Sequence, residues 1–174
     1  LVAALVLLLS DRRETFQTEA YGASRKVGDA IAAPVTGVLA TPGRWISDDL
    51  FYRTVADVNG DGADDIIGFG YAGTLVALSN RDGTFSDAQL IIDNFGKDQG
   101  WVSQDAFTRE VADVNDDGFA DLVGFGIAGT YLAFGQSDGT FSAAGFDIDN
   151  FGTDQGWTSD NIYHRTVADI NNDG

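Results

Sequence analysis

The chain has 174 residues, and its 27 acidic residues against 10 Lys and Arg give a formal net charge of −17. Of the acidic residues 24 are Asp and 3 are Glu, and because Asp prefers turns to helical surfaces, this excess indicates acidic loops or oxygen-ligand metal sites. The acidity argues against nucleic acid as a partner, since phosphate binding needs a basic face. Hydrophobic residues make up 44% of the chain and Cys is absent, which excludes a disordered acidic tail, disulfides and thiolate metal sites.

The charge divides the chain near Trp45. Residues 1–44 carry a net charge of +1 and contain both Pro residues, whereas residues 45–174 carry a net charge of −18. We therefore predict an N-terminal segment with a linker over 1–44 and a main domain over 45–174.

The N-terminal segment begins with the wholly apolar residues 1–9. This run is too short to span a bilayer alone, which needs roughly 20 apolar residues. Charged residues follow it abruptly, as at a membrane edge, so it indicates the remnant of a transmembrane or export segment; a short buried helix is the alternative. Residues 11–33 are rich in Ala and predict an α-helix that Pro34 ends. The stretch "LLLSDRRETF…GDAIAAPVTGVLATPGRW" resembles the membrane-proximal segment of the bacterial rod-shape protein MreC.

From Trp45 onward the sequence repeats with a period of 56 residues. Residues 46–101 and 102–157 align without a gap and share 34 identities in 56 positions, and residues 158–174 begin a third copy. A fixed period of this size is typical of repeat architectures, in which each unit buries its apolar face against its neighbours.

Each unit contains four predicted strands. In the first copy they lie near Arg53–Val58, at Asp65–Gly70, at Thr74–Leu78 and near Leu90–Phe95, and Asp82-Gly83 predicts a hairpin turn. Four antiparallel strands in about 50 residues predict an all-β fold of β-propeller blades, two complete and a partial third. A β-solenoid or a row of hairpins is the alternative.

The loop after the first strand of each unit carries oxygen donors at alternate positions. Carboxylates or amides stand at loop positions 1, 3, 5 and 9, and a Gly at position 6 permits a sharp turn. Such donors suit Ca²⁺, with the backbone carbonyl at position 7 as a further ligand. The loop is not an EF-hand, because position 12 is Gly68 or Gly124 where an EF-hand has Glu. The predicted ligands are Asp57, Asn59, Asp61, Ala63 and Asp65 in the first loop, Asp113, Asn115, Asp117, Phe119 and Asp121 in the second, and Asp169, Asn171 and Asp173 in a third.

The third loop lacks positions 7 and 9, so we expect it to bind weakly or not at all. A set of Asx-rich turns without metal is the alternative, although carboxylates packed so closely would repel one another without a cation.

The segments "DVNGDGADDIIGFG" and "DVNDDGFADLVGFG" resemble the FG-GAP or VCBS repeat of integrin-α-type propellers. The longer unit, which also contains "NFGKDQGW" and "AGTYLAFGQSDGTF", resembles the sugar-binding propeller lectins of the Psathyrella velutina type. The resemblance covers residues 45–174. It implies a seven-bladed propeller with Ca²⁺ in the blade loops and N-acetylglucosamine or sialic acid between adjacent blades. That family commonly has His-Pro-Arg before "ADV"; here Arg53, Arg109 and Arg165 keep the Arg, but the two preceding residues differ.

The nearly identical segments 93–101 and 149–157 are the predicted glycan-binding loops. They combine amides, a carboxylate and an indole, which suit hydrogen bonds to hydroxyls and apolar contact with a sugar ring. The alternative is structural, with the Trp filling the gap between blades and the polar groups satisfying loop backbone. The candidate ligand-binding residues are Asn94, Asp98, Gln99, Trp101, Arg109, Asn150, Asp154, Gln155, Trp157 and Arg165.

The chain shows no nucleophile motif, phosphate-binding loop or paired Glu arrangement, so we do not expect an enzyme. The sequence predicts a calcium-binding recognition module that binds glycans between blades, in an extracellular, cell-surface or periplasmic location. The alternative is a structural or adhesion subunit that contacts protein, forms an oligomer or larger complex, and is tethered to a membrane complex by its N-terminal helix.

Overall fold

The computed structural model describes residues 47–168. These residues form eight short strands in two four-stranded antiparallel sheets, with two single-turn 3-10 helices, so the all-β prediction is confirmed for this part of the chain. The predicted N-terminal helix and apolar run lie outside the described residues. Between residues 47 and 168, no helix is long and apolar enough to cross a membrane.

The first sheet is built from the first repeat. Its strands are β1 (Arg53–Ala56), β2 (Asp65–Phe69), β3 (Thr74–Ala77) and β4 (Gln89–Ile92), and they follow one another in this order. Strand β4 begins and ends earlier than predicted. Its pairing with β3 shifts register at Thr74 and Leu75, and the chain beyond it turns at Phe95, which has a φ of 60°.

The second sheet repeats this plan 56 residues later. Its strands are β5 (Arg109–Ala112), β6 (Asp121–Phe125), β7 (Thr130–Ala133) and β8 (Gly145–Ile148), again in sequence order. The register shift recurs between β7 and β8, at the matching position. Two sequence copies with the same pairing therefore fold as two equivalent units.

The two sheets share one apolar core. Central strands β2 and β6 are buried along their whole length, as expected for strands covered on both faces. One buried cluster contains Val58, Ile67, Phe69, Val76, Phe95 and Trp101 from the first repeat together with Ala120, Leu122, Ala133 and Phe141 from the second. The second sheet thus covers one face of the first.

Trp101 lies at the junction of the sheets, and Gly124 on β6 makes room for it. A Cβ at Gly124 would lie 2.5 Å from Trp101 Cη2 and 2.7 Å from Phe95 Cε1. The Trp ring also meets Phe107 and Tyr131 edge-on, at centroid distances of 6.4 and 6.0 Å. Such aromatic contacts add about 0.5–1.5 kcal/mol to simple area burial.

A polar connection also joins each repeat to the next. Asp49 Oδ1 accepts the N–H of Asp105 at 3.0 Å and the hydroxyl of Ser103 at 2.9 Å. One period later, Asp105 Oδ1 accepts the N–H of Asn161 at 3.0 Å and the hydroxyl of Ser159 at 3.0 Å. Residues 158–168 are therefore held against the second repeat as the second repeat is held against the first.

Candidate functional site

The first acidic loop, residues 57–65, is curled by its own side chains. Asp57 Oδ1 accepts the N–H of Asp61 at 3.1 Å, and its Oδ2 accepts the N–H of Gly62 at 2.7 Å. Asn59 Oδ1 accepts that same Asp61 N–H at 3.1 Å, so the two oxygens at loop positions 1 and 3 lie side by side. Asp61 Oδ1 accepts the N–H of Ala63 at 2.9 Å.

The second acidic loop, residues 113–121, has the same arrangement. Asp113 accepts the N–H groups of Asp117 and Gly118, at 3.3 and 2.8 Å. Asn115 Oδ1 accepts the Asp117 N–H at 3.0 Å, and Asp117 Oδ1 accepts the N–H of Phe119 at 2.9 Å. The oxygens at loop positions 1 and 3 therefore lie side by side in both loops.

The carboxylates at loop position 9 serve as backbone acceptors. Asp65 is fully buried, and its two oxygens accept the N–H groups of Val58 at 3.1 Å and Ser79 at 2.8 Å. Asp121 does the same with Val114 at 3.0 Å and Gly135 at 2.7 Å. Burial raises the pKa of both groups, and the neighbouring loop carboxylates raise it further, while the backbone hydrogen bonds act in the opposite direction.

The two acidic loops touch each other. The ring of Phe119 covers Gly60, where a Cβ would lie 2.7 Å from Phe119 Cε1. Next to it, the N–H of Ala120 donates to the carbonyl oxygen of Asp57 at 3.0 Å. The loops of consecutive repeats are thus neighbours in space, a contact that the sequence did not predict.

The donor chemistry of both loops fits Ca²⁺, since every candidate ligand atom is a hard oxygen and the oxygens of positions 1 and 3 are adjacent. As the side chains stand, no group of three or more Asp, Glu or His residues within 47–168 could hold a metal ion. The carboxylate oxygens instead accept N–H groups of the loops. Asp169, Asn171 and Asp173 lie outside the described residues, and Ca²⁺ binding stays a prediction.

The first predicted glycan-binding loop, residues 93–101, is held together by its own polar groups. Asn94 Oδ1 accepts the N–H of Phe95 at 2.7 Å and the indole N–H of Trp101 at 3.3 Å. Gln99 Nε2 donates to Asp93 Oδ1 at 2.7 Å and to the carbonyl oxygen of Ala72 at 3.2 Å. Trp101 is only 6% exposed, so it fills the junction and offers little surface to a ligand.

The second predicted glycan-binding loop, residues 149–157, has hydrogen bonds that match those of the first loop. Asn150 Oδ1 accepts the N–H of Phe151 at 2.7 Å, and Gln155 Nε2 donates to Asp149 Oδ1 at 3.2 Å and to the carbonyl oxygen of Ala128 at 3.1 Å. Trp157 is half-buried here. In both loops one candidate carboxylate, Asp98 or Asp154, is exposed and accepts no hydrogen bond from residues 47–168.

Arg109 lies between the two sheets with no exposed surface. Its Nη1 donates to the carbonyl oxygen of Phe95 at 3.1 Å, its Nε donates to Gln104 Oε1 at 3.0 Å, and the guanidinium lies 5.1 Å from the centroid of the Phe69 ring. Burial lowers its pKa to about 10. The side chain therefore joins the repeats and is not available to a ligand.

Arg165 makes the equivalent contacts against the second sheet. Its Nη2 donates to the carbonyl oxygen of Asp105 at 3.0 Å and its Nη1 to that of Trp157 at 3.2 Å, while the guanidinium lies 5.6 Å from the Phe125 ring centroid. Burial lowers its pKa, and the charge of Asp160 opposes this. Asp160 Oδ1 lies 3.7 Å from Nε, the one buried side-chain polar atom in the described part of the chain with no hydrogen-bond partner.

Sequence reasoning missed Asp49, Asp105 and Gln104. The signal for the two Asp residues is their spacing, one period apart, with Asn161 a further period on. Gln104 carries no such signal, because the matching residue is Asp160.

Comparison with known proteins also identifies similarity to a repeat family in this part of the chain. Residues 57–124 match the family model described as FG-GAP-like repeat. This part of the chain is similar to FG-GAP-like repeats. The matched span begins at the first residue of the first acidic loop and runs into strand β6, so the two acidic loops fall within it.

A solved structure of an Agrocybe aegerita lectin is similar to this chain, with 47% identity and a TM-score of 0.60. That structure concerns the specific recognition of non-reducing terminal N-acetylglucosamine by the lectin. The match covers 63% of this chain and 27% of the lectin. The predicted resemblances to FG-GAP repeats and to a lectin are both confirmed.

A second match concerns the cell shape-determining protein MreC of Caulobacter vibrioides. The two chains are 49% identical over 51 residues, which is 29% of this chain and 15% of that protein. The chain thus spans about a quarter of the lectin and a smaller share of MreC.

Proposed function

We propose that this chain is a non-enzymatic recognition module that binds glycans through FG-GAP repeats arranged as blades of a β-propeller. The observation that carries the proposal is the 47% identity to the Agrocybe aegerita lectin, over 63% of this chain. The proposed ligands are glycans with a non-reducing terminal N-acetylglucosamine, the class named for that lectin.

The propeller arrangement is supported by how the repeats cover one another. Phe95 on the first repeat is fully buried by the second repeat, whereas the matching Phe151 is 36% exposed. Phe151 packs edge-on against Phe125 of β6 at a centroid distance of 6.4 Å, and Phe125 lies on the opposite face of β6 from Gly124, which meets Trp101 of the first repeat. A further blade placed as the second is placed on the first would bury this face, and radial repetition of that kind produces a propeller.

The glycan site is proposed at the rim of the junction between repeats. Trp101 and Arg109 are buried and hold the junction, whereas Asp98 and Asp154 present exposed carboxylates. A carboxylate accepts hydrogen bonds from vicinal sugar hydroxyls, and the ordered loop around it lowers the entropic cost of binding.

Titration calorimetry with chitobiose, which ends in N-acetylglucosamine, tests this function. We expect binding that is lost in the double variant D98A/D154A and kept in the control D147A, which changes an exposed Asp of β8. Absence of heat in the unmodified chain, together with a blank glycan array, would falsify the glycan function.

Ca²⁺ binding at the two acidic loops is the second part of the proposal. Asp57, Asn59 and Asp61, and their counterparts Asp113, Asn115 and Asp117, supply the oxygens, and the ion would offset the repulsion of the clustered carboxylates. Because an ion that binds only the folded state stabilises it, EDTA should lower the melting temperature. The double variant D61N/D117N should melt at the EDTA value with or without Ca²⁺; an unchanged melting temperature in EDTA would contradict the Ca²⁺ proposal.

A second candidate function is a structural subunit that contacts protein and is tethered to a membrane complex at the cell surface or in the periplasm. The MreC match, 49% identity over 51 residues, favours it. Native mass and membrane fractionation with and without chelator separate the candidates. Assembly into larger complexes without glycan binding supports the structural role, and a monodisperse monomer that binds chitobiose supports the lectin role.

A further inference from the structure

The two acidic loops have equal acid content but different neighbours. Each contains four Asp residues and one Asn: the first has Asp57, Asn59, Asp61, Asp64 and Asp65, and the second has Asp113, Asn115, Asp116, Asp117 and Asp121. The hairpin turn beside them differs, because the first repeat has Arg81 where the second has Ser137. The hairpin turn of the first repeat therefore carries one more positive charge than that of the second.

Arg81 reaches the first loop directly. A Cβ at Gly62, loop position 6, would lie 3.5 Å from Arg81 Nη2. The Arg81 backbone has a φ of 61°, and its N–H donates to Ser79 Oγ at 3.2 Å. Ser79 in turn donates its N–H to Asp65 Oδ1 at 2.8 Å. The turn that carries Arg81 is thus fixed to the last residue of the acidic loop.

The Arg81 guanidinium has no hydrogen-bond or ion-pair partner among residues 47–168, and Arg81 is exposed. The second loop has no equivalent cation, because Ser137 is neutral.

We propose that Arg81 makes the first loop the weaker Ca²⁺ site and leaves the second loop as the stronger one. The proposal rests on the Ca²⁺ binding proposed above. Without the ion, Arg81 offsets part of the repulsion among the carboxylates of the first loop. With the ion, the same guanidinium repels a second positive charge. Both effects lower the affinity of the first loop, whereas the second loop has no cation at the matching position.

The expected size of the effect is modest, because Arg81 is solvated. For charges several ångströms apart in a high dielectric, the loss corresponds to roughly three-fold in affinity at low salt, and screening reduces it at high salt. The two loops should therefore fill in order, the second before the first.

The test exchanges the two side chains in the full chain. R81S should raise the Ca²⁺ affinity of the first loop about three-fold, and S137R should lower that of the second loop by a similar factor. The charge-conserving control R81K should behave as the unmodified chain. Amide signals of Gly62 and Gly118, whose N–H groups donate to Asp57 and Asp113, report each loop separately in a Ca²⁺ titration followed by NMR.

Both exchanges should have less effect in 0.5 M salt than in 20 mM salt, since the interaction is electrostatic. Binding at both loops with affinities that neither exchange alters would overturn the role of Arg81 and leave the Ca²⁺ proposal intact. If neither glycine signal responds to Ca²⁺ in the unmodified chain, the Ca²⁺ proposal and the inference drawn from it both fail.

Discussion

Asp49 Oδ1 accepts the backbone N–H of Asp105 at 3.0 Å, and these two residues occupy the same position of consecutive repeats. Asp105 is at once the acceptor for the next copy, at Asn161. Asp105 therefore donates its backbone N–H to the preceding repeat and accepts a backbone N–H from the following one through its side chain.

Replacing Asp105 should loosen the segment that follows the second repeat. D105A removes the acceptor for the Asn161 N–H and the Ser159 hydroxyl, so we expect faster amide hydrogen exchange at Asn161 and a lower melting temperature. D105N keeps one acceptor oxygen and should have a smaller effect. D147A is the control; if it matches D105A, the effect is not specific to this connection.

The same carboxylate should contribute a pH-dependent part of the stability. The N–H of Asn161 and the other donors to Asp105 hold its pKa below the usual 3.8, although burial opposes this. A depressed folded-state pKa stabilises the native state above the unfolded pKa, and this contribution is lost as pH falls through the folded pKa. The melting temperature of the unmodified chain should exceed that of D105N at pH 5–7, and the difference should shrink below about pH 4. A difference that stays constant down to pH 2 would contradict the assignment.

Arg109 should be required for the stability of the junction between sheets. R109M leaves the carbonyl of Phe95 and the amide of Gln104 without their buried donor, and we expect a loss of about 3 kcal/mol in the free energy of unfolding. The matched control is R53M, at the same position of the first repeat, where the side chain is 32% exposed and pairs with Asp48. Urea unfolding measures both; equal losses would mean that burial of Arg109 is not the cause.

Gly124 should not tolerate a side chain. G124A places a Cβ within 2.5 Å of Trp101 Cη2, so the ring must move, and we expect about 1–3 kcal/mol of destabilisation and an altered Trp fluorescence spectrum. G145A is the matched control, because a Cβ at Gly145 would have no neighbour within 4 Å. An unchanged spectrum in G124A would show that Trp101 is packed elsewhere.

Much of the local structure could be predicted from the sequence. The 56-residue period, the strand order and the curl of the acidic loops follow from local patterns, because hairpins and Asx turns form among residues close in the chain. The fourth strand ends at Ile92, before the predicted Phe95, and this end could not be predicted because neither the register shift at Thr74 and Leu75 nor the positive φ of Phe95 has a local sequence signal.

The roles of the candidate glycan-binding residues could not be assigned from the sequence. Trp101 and Arg109 recur with the repeat whether they bind a ligand or hold the junction, so their recurrence could not decide between the two roles. Only their burial, at 6% and 0% exposure, assigns them to the junction. Burial depends on the neighbouring repeat, which lies outside any local sequence window.

The contact between Phe119 and Gly60 restricts the order in which such repeats can follow one another. A repeat with a large residue at loop position 7 needs a Gly at loop position 4 of the repeat before it, because a Cβ there would lie 2.7 Å from the ring. The second repeat has Asp116 at position 4, so a successor with a small residue such as Ala63 at position 7 leaves room for that side chain, whereas in a copy of the second repeat the Phe ring would have to move. Tandem duplication of the second repeat would therefore require a new position for the Phe ring between the copies, whereas insertion of a copy of the first repeat would not.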